Sequence, residues 1–142
     1  IWTIPAERMK ARIQHRVPLS RQAIHILENI RGLHDELVFP SPRKQQILSD
    51  MVLTSFLRKK KAISDISGRV ATAHGFRSTF RDWCSEQGYS RDLAERALAH
   101  TLKNKVEAAY HRTDLLEQRV PMMQAWADYV MSQLAKNTKE FA

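Results

Sequence analysis

From Ser20 onward the apolar residues of this chain fall three or four positions apart, a spacing that points to a helical body. Ala23, Ile24, Leu27 and Ile30 follow Ser20, an N-capping residue type, and Gly32 stands where a left-handed stop belongs. Ser49 or Asp50 is placed to cap a helix carrying Met51, Val52, Ser55 and Phe56 and reaching toward Ala62, and 64–72 reads as a loop. From about Ala73, Phe76, Phe80, Trp83 and Gln87 repeat at steps of four, three and four, ahead of Gly88. Ser90 caps a short helix through Leu98, and Asn104 with Glu107 resembles a capping box that opens another holding Val106, Ala109 and Tyr110. Leu115, Leu116, Met122, Met123, Trp126, Val130 and Leu134 form a last apolar stripe, which Pro121 should break or kink because it removes a backbone donor. Only residues 1–19 are strand-like: Trp2 to Ile4 and Arg16 to Leu19 read as a hairpin around a long basic loop with no Asn-Gly or Asp-Gly turn. The expected fold is mainly α (α+β) in one domain over 1–142, with a hairpin at 1–19, a helical body at 20–112 and a C-terminal helical segment at 113–135.

With 43% apolar and 27% charged residues the chain has the composition of a folded domain rather than a disordered one. Its 23 Lys and Arg against 15 Asp and Glu leave a formal charge of +8, which favours a polyanionic partner such as nucleic acid. Cys84 is the single cysteine, so no intramolecular disulfide can form and a reducing cytoplasm fits best. No apolar run is long enough to span a bilayer, and a membrane is not expected among the partners. The chain opens at Ile1 with a strand-like run rather than Met, which reads as a piece of something longer.

His74-Gly75-Phe76-Arg77 sets an imidazole and a guanidinium three positions apart, on one helical face near a helix N-terminus. Backbone N–H groups, the helix dipole and a planar two-pronged donor would all favour one phosphate there. The spacing by itself is weak, because a chain with six histidines and arginine at roughly a tenth of its positions holds such a pair often by chance. The ordered series that follows is more selective: Leu98-Ala99-His100, then Ala108-Ala109-Tyr110-His111-Arg112 ten residues past His100. No Cys/His or carboxylate cluster has metal-ligand spacing. His15, His25, His34 and His111 read as structural, and Trp83, Trp126, Cys84 and the methionines as core.

In these boxes the sequence resembles the tyrosine recombinase, or phage integrase, family, in which a His-x-x-Arg box, a Leu-(Gly/Ala)-His box and a nucleophilic Tyr occur in this order. The wording of 74–83 and of 123–130 is similar to integrases of satellite phages and prophage islands, and the resemblance runs from Trp2 to about Leu134. It implies the helical catalytic domain of that family with its small N-terminal hairpin, shortened at its N-terminal side. It also implies a catalytic lysine in the hairpin turn, and Lys10, eight residues before Pro18, matches that position. Arg8 and Arg12 beside it, and Lys59, Lys60 and Lys61, are candidates for backbone-phosphate contact, although a charge run at a helix end is usually only solvated.

The resemblance implies that Tyr110 attacks a phosphodiester and becomes linked to the DNA 3′ phosphate. Only about one phenol in a thousand is ionised at neutral pH, a cost of about 4 kcal/mol, so a base must take the proton. His74 or His100 can do so or support the transition state, Arg77 matches the non-bridging oxygens, and Lys10 can protonate the departing sugar oxygen. No metal or other cofactor is required. The expected partners are double-stranded attachment-site DNA and other protomers, the latter through the C-terminal helix, in a bacterial, nucleoid-associated setting. The family uses a further arginine upstream of its hairpin and an N-terminal clamp domain, so the chain alone is expected to be inactive. Two other readings remain open: a helical DNA-binding or regulatory module without chemistry, and a topoisomerase-like relaxing enzyme.

Overall fold

Five helices and one two-stranded antiparallel hairpin make up the described residues, 1–42, 46–64, 66–100 and 113–140, of the computed structural model. In chain order they are β1 (Trp2–Ile4), β2 (His15–Val17), α1 (Arg21–Asn29), α2 (Val52–Lys59), α3 (Gly75–Glu86), α4 (Arg91–Ala97) and α5 (Leu116–Glu140). The mainly helical architecture expected from the apolar spacing is the one observed. Two compact units contain these elements: Ile1–His25 with Cys84–Ala142, and Ile26–Trp83. The capping box at Asn104 and Glu107, and the helix expected to hold Val106, Ala109 and Tyr110, lie outside the described residues.

In the first unit β1 pairs with β2 in the register Trp2↔Val17, Thr3↔Arg16, Ile4↔His15. The connection holds one 3-10 turn, Ala6–Arg8, and a second turn closed by the Arg12 N–H on the Met9 carbonyl at 3.0 Å. Arg12 takes the left-handed conformation there, with φ 55°, where a glycine would normally be found. A hairpin of two three-residue strands is marginal by itself, so it needs fixing from outside. Arg119 of α5 supplies this by donating to the Arg16 carbonyl at 2.7 Å. Ser20 caps α1 as expected, its Oγ accepting from Ala23 N–H at 3.2 Å, and the Arg21 N–H is taken by Gln124 Oε1 of α5 at 3.0 Å. Gln124 also donates to Gln22 and to Asp128, so amide side chains tie the first turn of α1 to α5.

Among the described residues of this unit, Pro18, Cys84, Leu93, Ala94 and Met122 are buried. Complete burial of a side chain the size of Met122 contributes about 1.5–3 kcal/mol. α4 packs on α5, and Ser90 caps α4 through its Oγ, which accepts from Leu93 N–H at 3.2 Å. Of the break or kink expected at Pro121, the break does not occur: α5 continues through it. The proline is the sixth helical residue and forgoes one bond, to the Glu117 carbonyl, on a turn where Glu117, Val120 and Pro121 are all exposed and water can solvate that carbonyl. The methionines are not uniformly core. Met51 and Met131 are exposed, and Trp126 is half-buried with its ring 5.7 Å from that of Tyr129.

The second unit contains α2, and within it Phe80 and Trp83 of α3 are buried and stacked with ring centroids 6.1 Å apart. The stretch expected as a loop over 64–72 is closed into a short antiparallel turn: Ile63 bridges Val70, and the Ala71 N–H donates to the Ala62 carbonyl at 2.8 Å. Among the described residues, three helices end in the same way, with a left-handed residue just past the last turn. Gly88 plays that part after α3, as its sequence position suggests, but Lys61 plays it after α2 and Ala99 after α4.

Candidate active site

The start of α3 is built by three neighbours. Thr72 Oγ1 accepts from the Gly75 N–H at 3.0 Å, and the His74 carbonyl accepts from the Arg77 N–H at 3.0 Å. A side chain at position 75 would bring its Cβ to 3.3 Å from Thr72 Oγ1, so glycine leaves room for the capping hydroxyl. His74, the residue just before the helix, is exposed, and Arg77, in its first turn, is half-buried. The pair expected from the sequence thus stands at a helix N-terminus, where the dipole and the Arg77 guanidinium favour an anion.

His100 follows α4 at the end of the helix stop formed by Ala99, whose φ is 53°. The Ala99 N–H donates to the Arg96 carbonyl at 3.1 Å and the His100 N–H to the Glu95 carbonyl at 2.9 Å. The Leu98-Ala99-His100 box is therefore a helix terminus whose backbone fixes where the imidazole emerges. Its Nδ1 pairs with Glu95 Oε2, which orients the ring.

Lys10 is exposed in the turn between β1 and β2, the location the sequence suggested. Arg8 and Arg12 are exposed on the same connection. Lys59, Lys60 and Lys61 are exposed at the end of α2, with Lys60 Nζ 5.9 Å from the Phe56 ring centroid. Tyr110 lies outside the described residues. Among the described residues no group of three His, Cys, Asp or Glu could hold a metal ion, and no helix is long and apolar enough to cross a membrane.

Comparison with known proteins decides the family. The profile of the phage integrase family matches residues 1–117. Prophage integrase IntA of Escherichia coli K12 is 43% identical over 132 residues, covering 91% of this chain and 31% of that protein. Prophage integrase IntZ of the same strain is 40% identical, covering 95% and 33%, and the integrase of Enterobacteria phage P4 is 34% identical, covering 99% and 37%. This chain belongs to the phage integrase family. It spans about a third of the length of these curated relatives. No solved structure gives a significant match.

In this integrase-family chain, sequence reasoning passed over a cluster in the first unit. Asp114, four residues past Tyr110, accepts from Arg16 Nε and Nη2 at 2.8 and 2.7 Å and from Arg119 Nη2 at 3.0 Å. Arg119 is 1% exposed, whereas the Arg16 and Asp114 side chains are partly exposed. The Arg16 guanidinium holds the Asp114 carboxyl below its usual range, and Asp114 in turn raises Arg16. A signal was present: Leu115, Arg119, Met122 and Trp126 stand at steps of four, three and four, so one arginine occupies an otherwise apolar helical stripe.

His15, on β2, also belongs to this cluster. Burial, and next the nearby Arg119 cation, push its imidazole below the usual value of about 6.5, while a hydrogen bond with the Ala97 backbone and the Asp114 charge act the other way. Below about 6.5 the unfolded chain binds a proton at this position that the folded chain resists, so stability present above that pH is lost as pH falls toward the folded value. Asp114, also lowered, stays ionised through this window. The melting temperature is expected to fall between about pH 7.5 and pH 5, and His15→Gln to flatten that slope. An unchanged slope in the variant would remove His15 as the cause.

Proposed function

We propose that this chain carries the catalytic groups of a tyrosine site-specific DNA recombinase, with Tyr110 as nucleophile and a 3′-phosphotyrosyl DNA intermediate. The observation that carries the reading is the placement of His74 and Arg77 at the start of α3 in a chain whose relatives are named integrases. Arg77 and the dipole of α3 neutralise the non-bridging oxygens as charge builds on phosphorus. His100, oriented by Glu95, accepts a proton at Nε2 or donates to the same phosphate, and His74 stands beside Arg77 in support. Tyr110 forms a bond from its oxygen to phosphorus, the bond to the 5′ oxygen breaks, and Lys10 delivers a proton to that oxygen. The ester keeps the energy of the broken bond, so a 5′ hydroxyl from a second DNA end reverses the step without a nucleotide cofactor. The partners are double-stranded attachment-site DNA and further protomers, which the exposed apolar face of α5 at Val130 and Leu134 suits. Arg8, Arg12, Lys59, Lys60 and Lys61 add sequence-independent phosphate contacts, and the working compartment is the bacterial cytoplasm at the nucleoid.

The test is covalent capture by the full-length protein on a nicked attachment-site duplex, read on a denaturing gel. Arg77→Ala is expected to slow adduct formation about 10²- to 10³-fold, the usual cost of losing one preorganised donor, with duplex binding weakened far less. Equal losses in binding and in bound-state rate would reduce Arg77 to a binding contact. A non-catalytic module of the same fold would form no adduct at all, and a relaxing enzyme would act on supercoiled plasmid that lacks any attachment site.

A further inference from the structure

β2, the last turn of α4 and the start of α5 converge on one carboxylate and three carbonyls. Beyond the bonds of Arg16 and Arg119 to the Asp114 carboxylate, Arg119 donates through Nε to the Asp114 carbonyl at 2.8 Å and through Nη1 to the Arg16 carbonyl at 2.7 Å. Arg96 is steadied along its own helix by two bonds at 3.1 Å from Nε to Asp92, and its Nη1 reaches the carbonyl of Thr113. Three guanidinium groups thus join three segments that are distant in sequence.

The positions of these contacts matter. Lys10 is six residues before Arg16 on the hairpin, His100 is four residues after Arg96, and Tyr110 is four residues before Asp114. Thr113 and Asp114 also lie directly beyond the stretch 101–112, and Arg96 ties them to the helix that ends just before it. Exposed ion pairs contribute little to stability, and a buried one is commonly no better than apolar packing of the same volume. Directional bonds, unlike apolar contacts, admit a single arrangement of the three segments.

We infer that Arg16, Arg96 and Arg119, acting through Asp114 and Thr113, are positioning residues that hold the hairpin whose turn bears Lys10 and the helix end that bears His100 in one frame for strand cleavage. The inference rests on the recombinase reading above. None of the three arginines is required to touch the phosphate: each acts on the backbone or side chain that carries a reacting group.

Arg16→Gln and Asp114→Asn in the full-length protein test it, the first at a partly exposed position. Adduct formation is followed in a single turnover with all of the nicked attachment-site duplex bound. The rate in bound molecules is expected to fall about 10²-fold, the scale of an ångström-sized misplacement, with DNA affinity unchanged and with partial recovery in Arg16→Lys. A second duplex carries sulfur in place of the leaving 5′ oxygen, which departs as a thiolate without an acid. On it the Arg16→Gln defect should shrink, because the placement of the hairpin turn that carries Lys10 no longer matters. A merely structural role lowers the yield of adduct but not its rate, equally on both duplexes, and that result or a wild-type rate in both variants overturns the inference. If the unaltered protein forms no adduct that depends on Tyr110, the recombinase reading falls and takes the inference with it.

Discussion

Tyr110→Phe in the full-length protein is expected to abolish covalent attachment to attachment-site DNA and strand transfer, a loss of at least about 10⁴-fold, while duplex binding persists. The substitution removes one oxygen and leaves the ring, so packing and net charge hardly change. That oxygen is the only atom of the side chain able to form an ester to phosphorus. Water cannot replace it productively, since hydrolysis would release a broken strand with no stored ester for the second DNA end to attack. The effect exceeds that expected for Arg77→Ala because an electrostatic donor lowers a barrier, whereas the nucleophile defines the pathway. Binding by gel shift and covalent capture on the same nicked duplex separate the outcomes. Strand transfer that survives in the Phe variant would mean that another group attacks, or that a regulatory module of this fold has been mistaken for an enzyme.

The helices were legible because their apolar residues repeat at the α-helical period and their ends carry Ser20, Ser90 and Gly88, each of which does in the structure what its chemistry suggests. The helix ends after α2 and α4 were less so, since Lys61 and Ala99 occupy a left-handed position that sequence reasoning reserves for glycine. For Ala99 the consequence bears on the proposed site, because the same helix stop fixes the departure of His100. The break allowed for at Pro121 does not occur, because its missing N–H falls on a turn where the Glu117 carbonyl is exposed to water. The two-residue logic of His74 and Arg77 could be read locally, as could the turn holding Lys10. The junction at Asp114 could not, because its bonds join residues about a hundred positions apart, and no periodicity says which partner a lone charged residue will find. What could be read was the anomaly itself, an arginine in the apolar stripe of α5.

That arginine carries the largest expected effect on stability. Arg119→Ala removes a guanidinium that is 1% exposed and donates to the Asp114 carboxylate, the Asp114 carbonyl and the Arg16 carbonyl. Burial lowers the hold of Arg119 on its proton and Asp114 offsets part of that, while these acceptors satisfy its donors. With the side chain gone, two backbone carbonyls lose their donor, a cavity opens beside Met122, and the short hairpin loses the anchor on β2. Breaking one side of a buried charge cluster commonly costs about 3–5 kcal/mol, a large share of the roughly 5–15 kcal/mol that holds a domain together. The melting temperature should fall by about 10–20 °C, read by circular dichroism at neutral pH. Arg119→Met refills the volume without restoring any donor, and Arg119→Lys keeps the charge with fewer directed bonds. If hydrogen bonding governs, Lys should be the mildest of the three and Met should recover little. Recovery by Met to the wild-type melting point would show instead that the site requires only volume, and the cluster would then be dispensable for the stability of the fold.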